Sequence, residues 1–229
     1  MAAAWIGFAG GVIAAVVSAI VAVRQSRVEA DVQAGLLRLE RDLDAEEVLK
    51  RYREPLAAAA FDLQSRLYNI LRKEFLERFG TGPLADEAMW TTLFRMAQYF
   101  GWTEILRRDI QFLSFPEDDA TRRVAHLQSE ITRRFLTDAP GHALMIWSDE
   151  QRALGERMIL SADGKLMCTG YAAFRDRDDA FGPWRRRVEE GLSDPASRER
   201  LREVQHLLCE LVESLDERRV RYTRDLERA

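Results

Sequence analysis

A chain of 229 residues with 31% charged side chains and a net charge of only −4 gives no bulk electrostatic case for nucleic-acid binding, which needs a clustered basic face. Six prolines and thirteen glycines against abundant Leu, Ala, Arg and Glu describe an all-helical chain with no low-complexity tract and no internal repeat. Two cysteines, Cys168 and Cys209, suit a reducing compartment, and their even number leaves one disulfide open.

Residues 2–23 carry no charge, and that length crosses a bilayer core of roughly 30 Å at about 1.5 Å per helical residue. The expectation is a single transmembrane helix. A cleaved signal peptide is the competing reading, weakened because Met1 runs directly into Ala and Trp without a basic segment. Arg24 and Arg27 flank one end and nothing basic flanks the other, which places the N-terminus outside the cell membrane and the body in the cytoplasm. Gly7-x-x-x-Gly11 and the row Gly10, Ala14, Ser18, Ala22 offer small residues through which two spans could pack.

Residues 24–54 read as a juxtamembrane stalk helix, with Val28, Val32, Leu36, Leu39 and Leu43 at steps of three and four. Pro55 marks the start of the body at 55–229. Within it the pattern predicts a helix from Leu56 to about Phe79, ended by Gly80-Thr81-Gly82-Pro83, and a central helix from Asp86 to Leu113 that is apolar nearly all round and bent at Gly101. Further helices are expected from Asp118 to Leu136, from a Ser148-x-x-Gln151 capping box, and from Asp179 to Glu190. Asp163-Gly164 has the spacing of a hairpin turn near 158–169. A last helix should begin at Ser193-Asp194-Pro195 and run to about Leu226, with its Leu201 to Tyr222 seam covered by the stalk. The fold class is therefore all-α: a membrane span, a stalk and a cytoplasmic helical bundle with room for one small hairpin.

No metal site, cofactor or nucleophile motif emerges. Glu203-x-x-His206 occurs once, where a di-iron bundle needs two copies and further carboxylates, and His126 and His142 stand alone. Arg122, Arg123, Arg133 and Arg134 share a helix face and read first as a solvated face balanced by acids, as does Arg185-Arg186-Arg187. The set with more to say is Asp62, Arg66, Glu104, Arg108, Glu150, Arg152 and Glu156, charges set among apolar residues. Buried, they must pair; they form either a structural polar network or a pocket for a small anionic or polar ligand.

The stretches Arg53-Glu54-Pro55-Leu56 through Asp62 to Asn69, Gln98-Tyr99-Phe100-Gly101-Trp102 through Glu104 to Arg108, and Trp147 through Glu150 to Glu156 resemble an uncharacterised family of helical proteins with microbial and plant members. The resemblance covers roughly residues 50 to 175 and implies one domain without naming an activity. The functional expectation is a membrane-anchored helical module acting by protein or ligand binding, in interaction, scaffolding or sensing. The alternative is a membrane-tethered enzyme or small-ligand receptor that uses the buried carboxylate and arginine set. The expected partners are the membrane itself and, through span or stalk, a second copy; no nucleic acid is expected, and nothing in the chain names a protein partner.

Overall fold

The computed structural model describes residues 24, 27, 32–36, 51–110, 119–162, 164–216, 221–222 and 226–229. The uncharged span, its small-residue motif and most of the stalk lie outside the described residues. Those of the stalk that are described are helical, with Val32 and Leu36 exposed. Among the described residues no helix is long and apolar enough to cross a membrane.

The body is a helical bundle with one hairpin. Its elements are α1 (51–72), α2 (Phe75–Phe79), a 3-10 turn at Gly82–Leu84, α3 (Ala85–Ile110), α4 (Asp119–Leu136), α5 (Ser148–Met158), β1 (Ile159–Ala162), β2 (Lys165–Cys168), α6 (Tyr171–Arg175), α7 (Asp178–Ser193) and α8 (Ser197–Leu215). The strands pair antiparallel in the register Ile159 to Cys168 and Ala162 to Lys165, with Gly164 at a φ of 71° in the turn.

Pro55 does not end a helix: α1 runs through it, and Tyr52 on the near side is already buried, with its hydroxyl 2.6 Å from Asp109 on α3. One missing N–H bond is outweighed by that anchorage, so the helix continues through residue 55. The expected long helix to Phe79 is instead broken at Glu74, whose φ of 53° is left-handed. Along α1 the residues Leu56, Ala60, Leu63, Leu67 and Ile70 are buried at the expected helical steps. The central helix α3 buries Met89, Trp90, Leu93, Met96, Tyr99, Phe100, Ile105 and Leu106, so it is enclosed on most sides as its composition demands.

The C-terminal helix departs from expectation. It starts at Ser197 and stops at Leu215; Asp216 Oδ2 then accepts the N–H groups of Arg221 and Tyr222, which turns the chain back so that Tyr222 packs on Phe61 with ring centroids 5.1 Å apart. Its seam of Leu201, Val204, Leu208, Leu211 and Leu215 is buried, each side chain worth about 1.5–3 kcal/mol. The stalk expected as its cover falls mostly outside the described residues. Among the described residues there is cover of another kind. It comes from α4, which packs along α8, and from α1, reached through Gln205 Nε2 to Gln64 Oε1 at 3.1 Å and Arg198 Nη2 to the Leu71 carbonyl at 2.9 Å.

Two glycines set the spacing between α3 and α5. A Cβ on Gly155 would lie 2.5 Å from the Phe100 carbonyl oxygen, and one on Gly101 would lie 2.7 Å from Cys168 Sγ and 2.9 Å from Met158 Cβ. Gly101 therefore serves close approach, and α3 continues through it without a break in the helix. Leu154 and Met158 are at 0% exposure, so this crossing is closely packed.

Candidate functional site

The seven charged residues singled out from the sequence do not meet in one pocket. Asp62 is exposed on α1, where its backbone carbonyl accepts a bond from Arg95 at 3.1 Å. Arg66 is buried against α3, with Nη1 3.3 Å from Thr92 Oγ1, Nη2 3.2 Å from Thr91 Oγ1, and its guanidinium carbon 3.9 Å from the Phe75 ring centroid. Burial, aided by the neighbouring Arg95 charge, pulls its pKa down to about 10.

Glu104 is the hub of a second group. Arg107 clasps it with Nε and Nη2 at 2.7 Å each, Arg108 Nε adds a third bond at 2.7 Å, and Arg108 Nη2 continues to Glu156 at 3.1 Å. Burial alone would raise the Glu104 pKa, but the bonds from Arg107 and Arg108 outweigh it and hold the carboxyl below its ordinary value. The group ties turns of α3 to each other and to α5.

Glu150 belongs to a third. Its Oε2 accepts the Trp147 N–H at 2.9 Å, and Arg187 from α7 bonds both of its oxygens, at 2.5 and 3.1 Å. The Arg187 bond is the main reason its carboxyl sits below the usual range. Arg152 is exposed and lies 3.6 Å from Asp149. The capping arrangement is thus shifted by one residue from the expected box: Glu150 bonds back to Trp147, and Gln151 turns inward.

Arg187, read from the sequence as part of a solvated run, and Arg200, which the sequence did not single out, have other tasks. Arg187 donates to Glu150 and, at 2.7 Å, to the Met145 carbonyl. Arg200 is 0% exposed, and its bonds run to five backbone carbonyls: Ala143 at 3.0 Å, Arg134 at 2.5 Å, Phe135 at 3.4 Å, Thr137 at 2.7 Å and Gly141 at 2.6 Å. It satisfies the C-terminal end of α4, where a cation also meets the negative end of the helix dipole, and it pins the loop that leads to α5. Burial draws its pKa down from the ordinary arginine value.

Between α3, α4 and α5 the packing opens. A cleft of about 550 Å³ is walled by Phe100 and Leu106 from α3 and by Ala125 and Leu136 from α4, with Ser129, Thr132 and Gln128 alongside and Ser148, Gln151 and Arg152 facing them from α5. That volume lies in the range of small-molecule sites, and mainly apolar walls with a few polar groups are their usual composition. Arg107, Arg133 and Arg152 line it, one from each helix, together with a single acid, Glu104. Gln151 is 4% exposed; its Nε2 donates to the Thr132 carbonyl at 3.1 Å and the Ile146 carbonyl at 2.8 Å, while its Oε1 is buried without a hydrogen-bond partner. Gln128 Nε2 is likewise buried without one. Of the seven predicted residues, Glu104 and Arg152 reach this cleft; the other five do not line it. Gln151 could have been found from spacing, because Leu154 and Met158, three and seven residues on, are core positions and place it on the same inward face.

The remaining candidates have ordinary partners. Glu203 pairs with Arg134 at 3.2 Å, and His206 Nε2 lies 2.8 Å from the Ala229 carbonyl oxygen. Among the described residues no cluster of His, Cys, Asp and Glu could hold a metal ion. Cys168 and Cys209 are both free thiols, and burial pushes their pKa values up to about 12 and about 11, the opposite of what a nucleophile needs. On the basic face of α4, Arg133 pairs with Glu130, Arg122 with Asp119 and Arg134 with Glu203, while Arg123 Nε reaches Ser214 at 3.1 Å. No family model, curated protein or solved structure matches the chain, so the resemblance to an uncharacterised helical family gains no support from these comparisons.

Proposed function

We propose that this chain is a membrane-anchored helical module that works by binding, and that the cleft between α3, α4 and α5 is where its body takes up a small molecule. The observation that carries this is the cleft itself: a sizeable, mostly apolar opening between three helices of the body. The charged groups nearest to it are already paired along their own helices, as Glu104 is with Arg107 and Arg108 on α3 and Arg133 with Glu130 on α4, which favours recognition over acid–base chemistry there. The uncharged span 2–23 and the basic residues Arg24 and Arg27 favour an anchor with the N-terminus outside and the body in the cytoplasm. A ligand or partner met in the cytoplasm would then be registered at the membrane surface.

The test uses the full chain in phosphatidylcholine nanodiscs and 2-naphthalenemethanol as a neutral apolar probe, followed by saturation-transfer NMR with empty discs as the blank. Saturable binding is expected, and Ala125→Trp, which fills the cleft from α4, should abolish it without lowering the melting temperature. Failure of this probe and of its anionic counterparts to bind, or binding that persists in Ala125→Trp, would overturn the reading.

A further inference from the structure

A ligand entering the cleft meets an unbalanced field. Three helices each contribute an arginine to the lining, Arg107, Arg133 and Arg152, against one acid. That acid, Glu104, is 2% exposed and already holds three bonds from Arg107 and Arg108. The acids that pair with the other two arginines, Glu130 and Asp149, are not part of the lining. Both are neighbours along the same helix as their arginines, and the Arg133 and Arg152 side chains are each more than half exposed. Exposed pairs of this kind are worth little, so a ligand can share or displace them at small cost. A carboxylate gripped by a guanidinium fork beside apolar walls is the stronger arrangement.

From this we infer that the ligand is an organic acid, a molecule with an apolar body and one anionic oxygen head, whose body lies against Phe100, Leu106 and Leu136 and whose head is met by Arg133 and Arg152. The inference rests on the reading of the cleft as a ligand site and adds its charge. Arg107, committed to Glu104, contributes to the field and not to the grip. Gln128 Nε2 is a further donor without a partner. Gln151 Oε1 is an acceptor and gives nothing to an anion; its amide is fixed by the Thr132 and Ile146 carbonyls.

Three probes with one apolar body separate the possibilities: 2-naphthoate, 2-naphthyl phosphate and 2-naphthalenemethanol, titrated into the full chain in phosphatidylcholine nanodiscs. One of the two anions should bind about tenfold or more tighter than the alcohol, the scale of one charge-assisted bond, and the tighter of the two identifies the head as carboxylate or phosphate. Arg133→Gln combined with Arg152→Gln should remove that advantage and leave the alcohol's affinity where it was. Equal or tighter binding of the alcohol to the unaltered chain overturns the charge of the ligand while leaving the cleft as a site. An anion advantage that survives the double substitution shows that these arginines are not the grip. Binding of none of the three overturns the cleft reading as well.

Discussion

The two flanks of α3 are built in opposite ways. Towards α5 the backbones approach so closely that Gly155 faces the Phe100 carbonyl with no room for a Cβ, and Gly101 faces Cys168 and Met158 in the same manner. Towards α4 the same helix leaves about 550 Å³ empty. The difference teaches what keeps an opening open in a medium that otherwise packs to crystal-like density: both walls of the cleft are tied to something else. The α5 wall is locked on α3 by its glycine crossing and by Arg108, which bonds Glu104 on its own helix and Glu156 on α5. The α4 wall is committed to α8, along a buried seam and through Arg200.

The largest effect is expected from breaking the α4 tie. Arg200→Met keeps the volume of the side chain but leaves the carbonyls of Arg134, Thr137, Gly141 and Ala143 without their donor, each unsatisfied group costing about 1–3 kcal/mol. A loss of at least about 3 kcal/mol in chemical denaturation is the expected result. Arg200→Lys, which retains the charge but offers three donors in place of a five-donor fork, should recover only part of it. Full recovery by lysine would mean that charge at the helix terminus, and not the spread of donors, does the holding.

Next comes the glycine crossing. Gly155→Ala forces a methyl group within 2.5 Å of a backbone oxygen that no side-chain rotation can move, and overpacking of this kind costs about 1–3 kcal/mol. The gain in helix propensity from alanine, about 1 kcal/mol, works in the opposite direction. A melt of the full chain that shows Gly155→Ala to be as stable as the parent would mean that α5 can slide on α3, and the contrast between the two flanks would dissolve.

A smaller effect separates the pH dependence of the α3–α5 lock. The Glu104 carboxyl is held below its ordinary value in the folded chain by Arg107 and Arg108, so its contribution is present above the unfolded-state value near 4.3 and is lost as pH falls through the folded one. Glu150 and Glu130 titrate in the same sense. Glu104→Gln should therefore cost roughly 1–3 kcal/mol near neutrality and flatten the acid limb of the stability curve below about pH 4.5, without removing it. An acid limb of unchanged slope would show that Glu104 gains nothing from its two arginines.

How far these features were legible follows from which signal each one leaves. Helical class, the enclosed character of α3 and the hairpin at Gly164 come from periodicity and turn chemistry, which are local. Leu201, Leu208 and Leu215 were readable as a buried seam, but not what buries them; any apolar stripe asks for a cover without naming it. The helix end at Leu215 was missed because Tyr222 falls on the same heptad position as those leucines. The charged set was legible as needing partners, yet Arg187 and Arg200 sit in runs that look like solvated surface, and only the fold brings five carbonyls around one of them. The cleft itself is an absence of packing where two amphipathic helices, α4 and α5, meet the nearly all-apolar α3, and no residue type announces it.

The smallest expected effect bears most directly on the cleft. Ala125 on α4 lines it, whereas Ala97 on α3 is 0% exposed within the core. The same substitution to leucine at both sites adds three carbons to an alanine inside a helix, so intrinsic propensity changes equally and cancels in the comparison. At Ala97 the carbons have no space, and the cost should be about 1–3 kcal/mol. At Ala125 they enter an existing opening against Phe100 and Leu106, and the change should stay within about 0.5 kcal/mol in either direction. Denaturation midpoints compared at equal slope measure both. Should Ala125→Leu cost as much as Ala97→Leu, the two flanks of α3 are equally filled in solution and the cleft is not a standing feature of the body. If it is neutral, the opening is real space held open by its neighbours, and its walls are available to a ligand without the fold having to give way.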